Sequence, residues 1–164
     1  MANPVRILRL AVISGSLASA SSTATLALLA RKEGKNALQP VNSTSHWLNG
    51  EKAALFTGID LAHTAVGYAT HHAATIFWAI FFERWIGPRR PLGAVPMLRD
   101  ALILSAVAAA VDYGATPRRF TPGWELVLSK SSMIGAYIAM AAGLAAGALM
   151  TQKLARPSSA VLAS

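Results

Sequence analysis

Four long apolar runs, each closed by charged residues, set what this chain can fold into. A helix that crosses a bilayer needs about 20 apolar residues, because the hydrocarbon layer is about 30 Å thick and a helix rises about 1.5 Å per residue. Four segments qualify: about Leu10 to Ala30, Leu61 to Phe82, Met97 to Ala115 and Ser132 to Met150. Arg6 and Arg9 precede the first and Arg31-Lys32 end it. Glu83-Arg84-Trp85 closes the second, Thr116-Pro117-Arg118-Arg119 follows the third, and Gln152-Lys153 follows the fourth. Lipid offers the backbone no hydrogen bonds, so such runs must be helical. The expected fold is all-α, an integral membrane four-helix bundle forming a single transmembrane domain over residues 1–164.

Only 13% of the residues are charged, against about 25% in soluble domains. The formal net charge is +8, which by itself is compatible with nucleic acid. Here the Lys and Arg residues sit at the ends of apolar runs, so membrane lipids are the expected partners and nucleic acid is not. Counted by side, the N-terminus, second loop and C-terminus hold 8 Lys plus Arg against 7 in the first and third loops. Arg84, Arg89 and Arg90 cluster in the second loop, so both termini are expected in the cytoplasm. There is no cysteine, which removes disulfides and thiolate metal sites. Arg6, Arg9 and Ala18-Ser19-Ala20 also suit a cleaved signal peptide, but the apolar run continues to Ala30, so an uncleaved first helix is expected. Asn42-Ser43-Thr44 fits a glycosylation acceptor by residue type.

In lipid, helices associate through close backbone packing and hydrogen bonds. Gly135, Ala139, Gly143 and Gly147 lie four apart on one stripe of the fourth run. Gly15, Ser19 and Thr23 make a stripe on the first, Ala106, Ala110 and Gly114 on the third, and Gly67 interrupts the second. Contacts within the bundle are the expectation, and a partner interface is the alternative.

The second run carries Asp60, His63, His71 and His72, and ionisable residues in a span point to a site. At about 100° per residue, Asp60, His63, Gly67, His71 and Trp78 share a face. His72 lies opposite, toward a Ser or Thr of the first helix. With four spans, the first and third loops share a side, so His46, Asp60, His63, Asp112 and Tyr113 converge near one surface with His71 deeper. Two histidines and two carboxylates are ligand types for zinc or iron. Asp60, His63 and Asp112 are the metal candidates, and His46, His63 and His71 the cofactor candidates, haem included. His63 and His71 are about 12 Å apart along the axis and cannot hold one ion. A plainly structural network is the competing reading: Asp60 capping a helix, the histidines bonded to carbonyls or Ser, and Asp112 paired with Arg118 or Arg119. It needs no cofactor. Thr121-Pro122 with Glu125 reads as a helix start. No catalytic motif occurs.

The run Ser45-His46-Trp47, His63-Thr64, Gly67-Tyr68, His71-His72, Phe77-Trp78-Ala79, and then Asp112-Tyr113, Pro117-Arg118-Arg119 and Thr121-Pro122-Gly123-Trp124-Glu125, resembles a family of small bacterial four-span inner-membrane proteins. The resemblance covers roughly residues 45 to 130. It implies a bacterial inner membrane and a four-helix bundle, and no activity. The expected function is a non-enzymatic accessory or structural subunit, packing on itself as a homo-oligomer or on a larger membrane complex. The alternatives are a metal- or haem-binding membrane protein, and a proton or small-solute conductor with His71 and His72 as relays.

Overall fold

The computed structural model describes residues 3–154, and within them the secondary structure is all helix and turn. Helix α1 (Pro4–Lys32) starts where Asn3 Oδ1 accepts from the Val5 amide at 2.9 Å and Pro4 opens the first turn. This cap lengthens the helix beyond its apolar run. Two short helices follow, α2 (Gln39–Ser43) and α3 (His46–Asn49). A wide π-helical turn (Leu61–Ala65) then runs unbroken into α4 (Val66–Ile86). Helix α5 (Ala94–Gly114) takes in Pro96 in its first turn, where a missing N–H costs nothing, so Pro96 does not mark its start. Helix α6 (Lys130–Leu154) is the last among the described residues. The expected helix start at Thr121-Pro122 is not formed. Gly123 adopts a left-handed conformation (φ 80°) that breaks the segment into short turns over Arg118–Phe120 and Trp124–Leu126.

Three helices, α1, α5 and α6, are long and apolar enough to cross a membrane. Helix α4 is not among them, since His71, His72, Thr70 and Thr75 dilute its apolar residues. Helix α1 lies at the centre, with α6 along one side and α4 along the other, and α5 packs on α6 and touches α4 only lightly.

Small residues set the spacing. A Cβ on Gly147 would lie 2.5 Å from the Ser14 Cα, and one on Gly15 would lie 2.8 Å from the Ile76 Cα. Ser21 donates to the Ala139 carbonyl at 2.8 Å. Ala18 and Ser19 are fully buried. The expected α5 stripe is different: Ala106, Ala110 and Gly114 face outward. Helix α5 instead meets the bundle through Met97, Ala101, Leu104, Ser105 and Ala108, because the neighbouring Asp100 must turn inward to its arginines.

The long first loop folds into a cap. Asn42 is fully buried. Its amide donates to the Phe56 and Gly58 carbonyls at 2.8 and 3.1 Å, and its Oδ1 accepts from Thr64 at 2.8 Å. That burial removes it as a glycosylation acceptor. Ser43, Thr44 and Ser45 donate to carbonyls of their own turn, which lets a polar segment be buried without loss of hydrogen bonds. Gly67 on α4 lies against the Val41 carbonyl with no room for a side chain, so the cap seats directly on the helix backbone.

At the far end the α4–α5 connection is held by charge. Arg90 reaches Glu83 at 2.7 Å and Arg89 reaches Asp100 at 2.8 Å. Arg99 bonds the other Asp100 oxygen at 2.9 Å. Gln152 of α6 accepts from the Leu92 amide and donates to its carbonyl, both at 2.9 Å.

Glu33 joins the end of α1 to the start of α6 by accepting from the Ser129 amide and from the hydroxyls of Ser129 and Ser132. These bonds, that to the Ser129 hydroxyl foremost, hold its carboxyl below the ordinary 4.5. A depressed carboxylate stabilises the fold fully above its unfolded value and loses that effect as pH falls through its folded one. Wild type should therefore melt above Glu33→Gln at pH 7 in mild detergent, and the gap should close as pH falls below 4.5. A gap that stays constant with pH would remove the carboxylate from the account.

Candidate functional site

A cavity of about 260 Å³ lies where α4, α5 and α6 meet the cap. Helix α4 supplies Thr70, His71, Ala74, Thr75 and Trp78, α5 supplies Asp112, and α6 supplies Tyr137 and Met140. Thr44 and Trp47 come from the cap, and Phe120, Thr121, Pro122 and Trp124 from the third loop. Three of the four tryptophans of the chain thus line one space.

The ring of Trp124 stands between His71 and Tyr137, its centroid 5.5 Å from each. Its N–H donates to the Thr44 hydroxyl at 3.2 Å, and that of Trp47 donates to the Thr70 hydroxyl at 3.2 Å. Both threonines pass their own protons to backbone carbonyls. The Trp47 and Trp124 donors are therefore committed to the wall, whereas the Trp78 N–H has no hydrogen-bond partner among the described residues.

His71 is held from behind. Its Nε2 lies 2.9 Å from the Ser22 hydroxyl, which donates to the Ala18 carbonyl at 2.7 Å. Ser22 has one proton, so the network assigns the Nε2–H tautomer, with His71 donating to Ser22. Nδ1 then carries a lone pair, and among the described residues it has no hydrogen-bond partner. On the opposite wall, Tyr137 donates to Asp112 Oδ2 at 2.6 Å. The cavity thus holds two groups with acceptor capacity left over, the Asp112 carboxyl beyond its Tyr137 bond and His71 Nδ1, and is lined by neither Lys nor Arg.

The other sequence candidates lie elsewhere. His46 bridges two loops, with Nδ1 3.0 Å from the Ser43 carbonyl and Nε2 3.1 Å from that of Arg118. Both nitrogens face carbonyl oxygens, and neither is offered to a metal. The left-handed Gly123 is what admits the ring, since a Cβ there would lie 2.7 Å from Nδ1. Asp60 caps the start of the α4 helix: Oδ1 accepts from the His63 amide at 2.7 Å and Oδ2 lies 2.8 Å from His63 Nδ1. These His63 contacts hold the Asp60 carboxyl below its ordinary value. The His63 ring also stacks on Phe56 at 4.3 Å.

Asp60, His63 and Asp112 therefore do not assemble, and among the described residues no group of three or more His, Asp or Glu side chains is placed to hold a metal. The expected convergence of His46, Asp60, His63, Asp112 and Tyr113 resolves into separate contacts, with only Asp112 joining His71 at the cavity. Asp112 bonds Tyr137 rather than Arg118 or Arg119. It is His71, not His72, that meets a serine of α1. His72 stacks on Tyr68 at 5.8 Å, and no hydrogen bond among the described residues joins it to His71. The wide turn before α4 shifts its first residues off a 3.6-residue period, which is why Asp60 and His63 leave the face of His71.

Sequence reasoning missed Tyr137. It is the single aromatic residue of α6, in a stretch from Met133 to Met150 otherwise built of Ala, Gly, Met, Ile and Leu, and that isolation was the available signal. Thr44 and Trp124 gave none, because their roles depend on the folding of the two loops. No protein-family profile, curated protein or solved structure matches this chain.

Proposed function

We propose that this protein spans a bacterial inner membrane four times, with α4 as the fourth span, and binds a small, largely apolar ligand beneath its cap. The bacterial placement rests on the sequence resemblance, and cytoplasmic termini on the arginines of the second loop. The observation that carries the binding reading is the cavity: three tryptophans line a space in which His71 Nδ1 has no hydrogen-bond partner among the described residues and the Asp112 carboxyl has only the Tyr137 hydroxyl. Acceptors on an apolar wall normally find a donor, and a ligand would supply one. The light contact between α4 and α5 supports entry from the lipid side.

Tryptophan fluorescence tests this directly, because Trp85 is the one tryptophan outside the cavity lining. In a Trp85→Phe background, bromocyclohexane should quench emission saturably. Ala74→Phe, which places a ring at the cavity wall, should leave only the linear quenching due to partition into the membrane. Linear quenching in both proteins would sink the binding reading.

An accessory-subunit role is the second reading, favoured by the outward Ala106, Ala110 and Gly114 of α5, a face on which another helix could pack closely. Co-purification of stoichiometric partner chains from native membranes in gentle detergent would support it, and a lone chain would count against it.

A further inference from the structure

Resting on the binding reading above, we propose that the cavity takes a protonated amine on a compact apolar body. Three observations converge on this class. The first is charge. Asp112 brings a carboxylate to an aromatic wall, makes no ion pair among the described residues, and has no Lys or Arg beside it in the lining. Tyr137 gives it a hydrogen bond but not a positive charge. A carboxyl in apolar surroundings keeps a charge only beside a partner of opposite sign, and at this site the ligand is what can bring one.

The second is the hydrogen-bond inventory. Apart from the Trp78 N–H, the open groups are acceptors, Asp112 and His71 Nδ1, whereas the N–H groups of Trp47 and Trp124 and the hydroxyl of Tyr137 already donate within the wall. An ammonium group is all donors and matches them. Carboxylates and phosphates need several donors, of which the indoles leave only the Trp78 N–H uncommitted, and Asp112 disfavours anions; a carbonyl compound would use that one donor and leave both acceptors unmatched. A quaternary ammonium would leave His71 Nδ1 without a partner.

The third is the wall itself. Indole rings attract cations over their faces through the ring quadrupole, and Trp47, Trp78 and Trp124 all line the cavity. The volume, about 260 Å³, falls below the roughly 300–1,000 Å³ of drug-sized pockets, so the apolar body is small.

Three probes of one shape separate the possibilities: cyclohexylamine, cyclohexanol and cyclohexanecarboxylate, titrated into the full chain in detergent by tryptophan quenching and calorimetry. The amine should bind at least about tenfold more tightly than the alcohol, and the carboxylate should not bind. Asp112→Asn should weaken the amine by on the order of thirtyfold or more and leave the alcohol unchanged. Tyr137→Phe keeps the carboxylate and should retain the preference for the amine. It serves as the second variant if Asp112→Asn does not fold, as judged by its melting curve.

Equal binding of amine and alcohol overturns the amine assignment. If bromocyclohexane still quenches saturably, the binding reading survives that result. If it does not, both fall together.

Discussion

Replacing Arg90 with alanine is expected to destabilise the protein by about 3–5 kcal/mol. The side chain of Glu83 is 0% exposed, and Arg90, at 13%, is the cation that reaches it. The contact is close, at 2.7 Å, yet out of line for a hydrogen bond, so charge rather than a directed bond joins the pair. Removing the arginine leaves the fully buried Glu83 carboxyl without its counter-charge. Removing both charges is a different perturbation: Glu83→Met with Arg90→Met should recover most of the loss, because a well-packed apolar pair avoids the desolvation cost of both ions. Arg99→Ala is the control. That side chain is 63% exposed and Arg89 remains on Asp100, so the expected cost is about 0–1 kcal/mol. Thermal unfolding of the four proteins in one detergent decides the matter. If Arg90→Ala melts with Arg99→Ala, the buried pair is not what holds the α4–α5 connection.

Leucine at Gly143 is expected to separate α1 from α6. A Cβ there would lie 2.5 Å from the Ala18 Cα and would also press on Ser21 Oγ and the Leu17 carbonyl. Both sides of the clash are backbone or its immediate attachments, so no rotamer change relieves it. Overpacking costs about 1–3 kcal/mol, and more where nothing can yield. The bond from Ser21 to the Ala139 carbonyl, 2.8 Å long, would be lost as the helices part. Gly135→Ala, on the same stripe, should be nearly silent, since its Cβ would meet only the tip of the Leu29 side chain at 3.2 Å. Melting curves that rank Gly143→Leu far below Gly135→Ala would support this packing. Equal melting temperatures would refute it.

That contrast shows how far the residues could be read in advance. Spacing alone put Gly135, Ala139, Gly143 and Gly147 on one stripe. It could not say that Gly143 and Gly147 touch backbone while Gly135 has slack, because the difference depends on where α1 crosses. Helix α1 begins at Pro4 rather than Leu10 because the Asn3-Pro4 cap, not hydrophobicity, sets its start. The cap segment was the least legible part. Asn42 to Ser45 reads as a polar loop, yet it is buried because each hydroxyl closes a bond within its own turn, and that self-sufficiency has no period to detect. The candidate site was half visible. His71 and Asp112 stood out as ionisable groups in apolar runs, whereas Asp60 and His63 stood out for the same reason and turned out to hold a helix end. Residue type announced the cost of burial in each case, and only the fold distinguishes a group that has met that cost locally from one still lacking a partner.

The central place of α1 has a consequence for biogenesis. Its main companion is α6, the last described helix, and the hydrogen bond from Ser21 to Ala139 joins positions 118 residues apart. At about 5–20 residues per second of synthesis, α1 waits on the order of 6–24 s before its partner has been made. During that interval the groove that will receive Gly143 and Gly147 faces lipid, and the Ser21 hydroxyl has only its own helix to bond. The nascent chain is therefore committed to the membrane well before it is committed to its fold, and α6 is the segment whose arrival ends the wait.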